Sequence, residues 1–168
     1  MHHIWTCRCC GKQFESLPLS FAPFAPDPWF EIPEAERAER ARLSSDQCII
    51  DKKEFYLRGC LHIPVLGHSE KFIWGVWVSV SQATFWRIDE LWEANVRDDE
   101  PPFFGWLCND LPVYPQTFGL KTNMHLRNSG ERPFIQVEPT DHPLAQEQRL
   151  GISLQRVEEI AAALLSHH

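Results

Sequence analysis

Two neighbouring segments of this chain alternate between apolar and polar side chains. In residues 54–65 the apolar face carries Phe55, Leu57, Leu61, Ile63 and Val65. In residues 72–81 it carries Phe72, Trp74, Val76, Val78 and Val80. Successive side chains of a β-strand point to opposite faces, so this period of two predicts two strands, each with a buried face. The second segment is the more apolar, and we expect it to be a central strand.

Shorter segments extend the predicted sheet. Residues 47–51 form a strand before the two long ones. Residues 120–127 alternate cleanly, and the turn at 128–131 allows them to pair with residues 134–138 in a hairpin. Residues 103–107 are apolar throughout, and periodicity alone does not distinguish a strand from a buried turn there.

Helical spacing of charged or apolar side chains marks four other segments. These segments are residues 34–43, 83–94, 141–149 and 153–165. Side chains that cap helix amino termini precede three of them: Ser81 for the second, Thr140 or Asp141 for the third and Ser153 for the fourth. The chain therefore combines helices with long hairpin-like strands.

Strands grouped between helices, without regular βαβ alternation, predict an α+β fold. We expect a mainly antiparallel β-sheet with helices packed on one face. Five prolines between Leu17 and Pro33 disfavour helix and inner strand, so this stretch is predicted to be an extended connector on the surface. The predicted domains are an amino-terminal appendage, residues 1–33, and one α+β domain, residues 34–168.

Composition and charge narrow the function classes. At 168 residues, with 43% hydrophobic and 23% charged residues, the chain suits one globular domain and excludes wholesale disorder. Its net charge of −7 repels polyphosphate, which argues against a nucleic-acid partner. No export signal or membrane-spanning apolar run is present, so we expect a cytoplasmic protein, without membrane association, whose cysteines are reduced.

A Cys-x-x-Cys-Gly turn near the amino terminus is typical of small zinc knuckles. Cys7 and Cys10 supply two of the four ligands that a structural zinc ion needs. Cys9 and Cys48 are candidates to complete the set. The alternative, which the sequence leaves open, is that the thiols are reduced and bind no metal.

Two other groupings have residue types used in catalysis. Asp141 precedes His142 at a predicted helix start, where the helix dipole can depress the imidazole pKa, and Asp46 is a further candidate acid. Capping of the helix explains the same motif without catalysis, and we favour it. Cys60 and His62 share a strand face at a spacing that suits a metal ion or a nucleophile with its base. An ordinary half-exposed strand face also explains that pair, and we favour it.

Aromatic residues are abundant, with seven tryptophans and eleven phenylalanines. Trp77 and Trp86 fall outside the main apolar faces of their predicted strand and helix, which makes them candidates for a partner-binding surface. Core packing is the alternative for both rings, and we favour it. No basic tract accompanies them, so base stacking is not expected.

Several stretches carry a resemblance to one bacterial family. They include Cys7-x-x-Cys10-Gly11, Asp46-x-Cys48-Ile49-Ile50-Asp51, Trp74-Gly75-Val76-Trp77-Val78-Ser79, Phe104-Gly105-Trp106-Leu107 and Thr140-Asp141-His142-Pro143-Leu144-Ala145. The chain resembles, over nearly its whole length, the family known as domain of unknown function 2199. The resemblance implies a stand-alone bacterial protein without an assigned activity, and it lends no catalytic residues. In the family pattern a histidine follows the glycine by three positions; this chain has Phe14 there, so one expected ligand is missing.

These observations favour a non-enzymatic module that binds another protein through an aromatic surface, with zinc as a structural ion at its amino terminus. The alternative is a hydrolase-type enzyme that uses Asp141 and His142 in a cleft. The sequence does not define the oligomeric state.

Overall fold

The computed structural model describes residues 5–6, 13–14, 17–94 and 100–165. The strands are β1 (Trp5–Thr6), β2 (Gln13–Phe14), β3 (Ser20–Phe21), β4 (Ala41–Leu43), β5 (Gln47–Ile50), β6 (Glu54–Pro64), β7 (Lys71–Val80), β8 (Phe103–Leu107), β9 (Lys121–His125) and β10 (Phe134–Val137). The helices are α1 (Asp27–Glu31), α2 (Arg37–Arg40), α3 (Gln82–Leu91), α4 (Pro143–Leu150) and α5 (Leu154–Leu165), with a 3-10 turn at Glu34–Glu36. The predicted α+β class is confirmed.

Strands β6 to β10 form a closed ring within the described part of the chain. Each strand is antiparallel to the next, and β10 returns to pair with β6 in parallel, Phe134 opposite Cys60. In an up-and-down meander of five strands the first and last run in the same direction, so the closing pair must be parallel. The mainly antiparallel sheet is confirmed, but it curls into a barrel instead of remaining open.

Gly59 allows the barrel to close. A Cβ atom at this position would lie 2.5 Å from the Ile135 side chain and 2.9 Å from the carbonyl oxygen of Pro133. The Cys60 N–H donates to that same carbonyl over 2.9 Å, so β10 approaches β6 where β6 has no side chain.

The three longest helices bury their apolar side chains in the cluster enclosed by the barrel. Phe85 of α3 packs on Phe55 near the start of β6, with ring centroids 5.2 Å apart. At the other end of β6, Ile152 forms a parallel bridge with Val65 beside α4 and α5. We call this the inner cluster; the alternating strand positions and helix faces expected from the sequence build it.

A second, smaller cluster lies on the outer face of β6 and β7. We call it the outer cluster; its buried members are Ile32, Cys48, Ile50, Tyr56, Trp77 and Cys108. Residues 17–33, which we call the proline-containing segment, contribute Ile32 to this cluster and strand β3 to the sheet, where β3 runs parallel to β7. Residues 17–33 therefore pack on the same barrel as the rest of the described chain.

Buried Asn109 joins the proline-containing segment to the barrel. Its side-chain amide donates to the carbonyl of Ala25 over 3.0 Å and to Oδ1 of Asp27 over 3.2 Å. Its Oδ1 accepts the backbone N–H of Trp77 over 2.8 Å. One side chain thus satisfies polar groups of the segment and of β7, as burial requires.

The predicted helix over residues 34–43 is shorter than expected. It ends at Arg40, and Ala41 and Leu43 continue as β4, because both pack against the outer cluster from an extended backbone. Helix α3 begins as predicted, with Ser81 accepting the backbone N–H of Thr84 over 3.1 Å.

Candidate functional site

The predicted zinc site falls on Cys7, Cys9 and Cys10, which lie outside the described residues. Cys48, the proposed additional ligand, is fully buried in the outer cluster. Burial raises the pKa of its thiol to about 12, which opposes the thiolate that zinc requires. Over the ranges that the structure describes, no three His, Cys, Asp or Glu side chains are grouped as metal ligands.

Cys60 and His62 lie together on the outer face of β6, both half-buried. The His62 ring contacts Phe134, with centroids 5.2 Å apart. Burial lowers the pKa of His62, and the charges of Arg127 and Lys71 lower it further. The pair lacks a third ligand in the described structure, so its surroundings fit an ordinary strand face.

His142 caps helix α4 with its own ring, where Thr140 or Asp141 was expected to do so. Its Nδ1 accepts the backbone N–H of Leu144 over 3.0 Å, and its Nε2 lies 2.9 Å from the carbonyl oxygen of Gln116. Nδ1 is therefore unprotonated and Nε2 carries the proton. Both nitrogens are engaged with the backbone, which leaves neither available as a general base.

Neither acid proposed as a partner of His142 is hydrogen-bonded to its ring. Asp46 accepts the Nε–H of Arg132 over 2.7 Å, in a cleft that neither Asp141 nor His142 lines. Asp141 is exposed. The geometry therefore does not assemble the acid–imidazole pair that the hydrolase alternative needs.

Trp77 is 0% exposed, so the prediction that it belongs to a partner-binding surface of this chain is wrong. Its indole N–H donates to the carbonyl of Pro23 over 3.2 Å, and the ring lies within the outer cluster. Alternation correctly predicts that Trp77 points away from the inner face of β7. The proline-containing segment covers the outer face, so the ring is buried there.

Trp86 is 45% exposed and stands on α3 beside a groove. The groove, which we call the Trp86 groove, has a volume of about 410 Å³ and separates α3 from strands β4 and β5. Ile49 and Phe55 contribute its apolar lining, and the Phe55 and Trp86 rings meet edge to face at 6.5 Å. An exposed indole above an apolar lining can hold an apolar side chain of a ligand.

The charges of the Trp86 groove oppose the charge of the whole chain. Its lining contains the cations Arg40, Arg42 and Lys52 and the single acid Glu39. Arg40 is engaged with Asp51 through two hydrogen bonds of 3.0 Å. Arg42 and Lys52 form no ion pair with any described residue. Two cations therefore remain to meet an acidic ligand.

A second exposed aromatic pair was not singled out by sequence reasoning. Phe104 and Trp106 occupy the outward positions of β8, with ring centroids 5.0 Å apart and edge-to-face geometry. The Lys121 ammonium lies 6.0 Å from the Trp106 ring centre. The apolar run 103–107 concealed this pair, because an alternation of exposed and buried positions is invisible when every residue is apolar.

The fold and the groove define an α+β protein with a closed barrel and a basic, aromatic-lined groove on an otherwise acidic chain. Residues 6–152 match the model of the family described as "Uncharacterized protein conserved in bacteria (DUF2199)", and the chain belongs to that family. The chain has no significant match among curated proteins or solved structures. No helix among the described residues combines the length and apolar character needed to cross a membrane.

Proposed function

We propose that this chain is a cytoplasmic, non-enzymatic protein-binding module that holds an acidic, extended segment of its partner in the Trp86 groove. The observation that carries this proposal is an exposed indole beside an apolar lining and two cations that form no ion pair with a described carboxylate. The indole, the edge strand beside it and the cations each recognise a different property of the partner segment.

The aromatic part supplies an anchor. Tryptophan is enriched among the few interface residues that carry most of the binding energy, particularly where a pocket excludes water. Trp86 already contacts Phe85 and Phe55 edge to face, so its orientation is set before a partner arrives. A preset ring loses little conformational entropy on binding.

The edge of the sheet supports an extended partner. Strand β4 ends the eight-stranded sheet and pairs only with β5 in the described structure. Such an edge presents backbone groups to which another extended chain can add. Arg42, at the centre of β4, also lines the groove, so an added strand would pass the cations.

The charge pattern favours an acidic partner. The lining has three cations and one acid, whereas the whole chain carries a net charge of −7. Opposite charge speeds encounter and selects among partners, and salt screens the effect. We therefore expect affinity for the partner segment to fall as ionic strength rises.

Selection from a displayed library of random peptides of about ten residues tests the proposal. We expect the intact chain to enrich acidic sequences with one or two large apolar residues. Trp86→Ala should weaken the selected peptides about thirtyfold, equivalent to ~2 kcal/mol, because the anchor is lost. Trp106→Ala is the matched control, since Trp106 is 44% exposed on β8 and does not line the groove, and it should leave affinity unchanged.

Reversal of the two cations tests the electrostatic part. Arg42→Glu combined with Lys52→Glu should reverse the salt dependence, so that affinity for the acidic peptides rises with ionic strength, whereas Lys71→Glu, at the far end of β7, should preserve it. Enrichment of neutral or basic peptides, or equal losses for Trp86→Ala and Trp106→Ala, would contradict the proposal.

Zinc at Cys7 and Cys10 stays a prediction with a structural role at the amino terminus. Metal analysis of protein purified without added zinc checks it, and Cys7→Ser should release the ion if these thiols hold it.

A further inference from the structure

A cleft separate from the Trp86 groove lies between the β4–β5 turn and the carboxyl-terminal half of α3. Its volume is about 360 Å³, and we call it the Arg58 cleft. Asp46 and Arg58 line one part of it, and Asp89, Trp92 and Glu93 line the α3 side. A cleft of this size suits a small molecule more than a polypeptide.

Arg58 has an incomplete set of partners. One of its terminal nitrogens donates to the carbonyl of Ser45 over 3.3 Å. Its Nε is shielded from solvent and has no hydrogen-bond partner in the described structure. Arg58 also forms no ion pair with a described carboxylate. Because the Nε is shielded from water, a ligand in the cleft would bind the terminal nitrogens of Arg58 instead.

The nearest carboxylate is already committed to another cation. Asp46 accepts the Nε–H of Arg132 over 2.7 Å. Burial lowers the pKa of Arg58, and the neighbouring charge of Arg132 lowers it further, although Asp46 acts in the opposite direction. Two guanidinium groups thus share one carboxylate, so this side of the cleft is short of negative charge.

The α3 side of the cleft has the opposite character. Asp89 accepts a hydrogen bond from the Gln47 amide over 2.8 Å, and Glu93 is exposed without an ion pair to a described residue. The cleft therefore has a cationic part at Arg58 and an anionic part at Asp89 and Glu93. Phosphate and other multiply charged anions would meet repulsion from these acids.

We propose that the Arg58 cleft binds a small zwitterion of the α-amino-acid class. The ligand carboxylate accepts hydrogen bonds from the terminal guanidinium nitrogens of Arg58, and the ligand ammonium faces Glu93 and Asp89. Leu57, Ile88 and Trp92 line the same cleft and contact an aliphatic or aromatic ligand side chain. This site is independent of the Trp86 groove, and either can fail without the other.

The Nε–H signals of arginine in ¹⁵N-labelled protein provide a direct test. The Arg58 signal is assigned by its loss in Arg58→Lys. An equimolar mixture of the L-amino acids is added first, and each is then titrated alone. We expect the Arg58 signal to shift saturably with at least one aliphatic or aromatic amino acid. The N-acetyl and amide derivatives of that amino acid should each bind at least about tenfold more weakly, because each lacks one charge.

Two exposed acids, Glu90 near the end of α3 and Glu93 just after it, provide a matched pair of variants. Glu93→Gln should reduce affinity for the free amino acid at least about threefold while leaving that of its N-acetyl derivative unchanged, because only the ammonium contact is removed. Glu90→Gln is the control, since Glu90 faces Arg87 and does not line the cleft. An Arg58 signal that no amino acid shifts would overturn the proposal. So would a signal shifted as strongly by inorganic phosphate, which would indicate a general oxyanion site.

Discussion

The inner and outer clusters bury opposite faces of the same two strands by different means. Trp74 and Trp77 lie three residues apart on β7 and are 1% and 0% exposed. Trp74 packs in the inner cluster, which strands β6 to β10 and three helices enclose. Trp77 packs in the outer cluster beneath the proline-containing segment. Regular elements therefore bury one ring and a largely irregular segment buries the other.

The difference shows what each cluster depends on. The inner cluster contains more than twenty buried apolar residues, so dispersion and hydrophobic burial hold it together. The outer cluster has six buried members, and a few buried hydrogen bonds to Asn109 and Asp27 position its cover. We expect the outer cluster to respond to loss of a polar group and the inner cluster to loss of apolar volume.

Phe72→Ala, in the inner cluster, should have the largest effect. Phe72 is fully buried and contacts Phe21 and Trp74, so truncation leaves a cavity. We expect the free energy of unfolding to fall by about 3–5 kcal/mol in urea titration. Phe30→Ala is the matched control, because Phe30 is half-exposed, and its loss should be within about 0.5 kcal/mol. Equal losses for the two phenylalanines would refute the description of the inner cluster.

Asn109→Ala should have an intermediate effect that is confined to the outer cluster. The substitution leaves the Trp77 N–H without its acceptor and removes both donors to the proline-containing segment. We expect a loss of about 1–3 kcal/mol, with faster alkylation of Cys48 and Cys108 measured by peptide mass spectrometry. The Asn123→Ala control, on β9, should leave both alkylation rates unchanged. If Asn109→Ala speeds hydrogen exchange at the amides of the inner cluster as much as at those of the outer cluster, the two clusters do not unfold separately.

The sequence predicted the strands of the inner cluster because alternation reports which side chains share a face. It gave the near-correct bounds of β6 and β7 and identified the β9–β10 hairpin. Alternation does not report what covers a face, so it leaves Trp77 as a candidate for a partner-binding surface. The cover consists of residues whose prolines preclude regular periodicity, and their packing depends on contacts distant in sequence, such as Asn109 with Ala25.

Barrel closure was not predicted for a similar reason. The pairing of β10 with β6 joins residues more than seventy positions apart, Cys60 and Phe134. Gly59 is the local feature that permits the approach, but a glycine within a strand indicates a bend or a close contact without naming the partner.

Of the two candidate sites, one follows from a local sequence pattern and the other depends on contacts between residues distant in sequence. Helical periodicity placed Trp86 outside the apolar face of α3, and its exposure follows directly from that position. In the sequence, Arg58 is one polar residue on the strand face that also carries Cys60 and His62, and no local pattern distinguishes it. It forms no ion pair with a described carboxylate because Arg132 engages Asp46, a contact between residues that no local pattern connects.

A rise in pH to about 9 should produce the smallest effect, and it should act through the outer cluster. Burial raises the pKa of Cys48 and Cys108 to about 12, whereas the unfolded thiols ionise near pH 9. The unfolded state therefore loses its protons first, and stability that is complete below about pH 9 declines between about pH 9 and 12. At the unfolded-state pKa each thiol accounts for a loss of about 0.4 kcal/mol relative to neutral pH. Urea titrations of Cys48→Ala combined with Cys108→Ala should show a shallower decline of stability with pH than the unsubstituted chain, because the two thiols are gone. A decline should remain in both proteins, since both contain Tyr56 and Tyr114, whose pKa values burial also raises. Parallel curves would show that these thiols are as accessible to water in the folded chain as in the unfolded one, which would contradict a closed outer cluster.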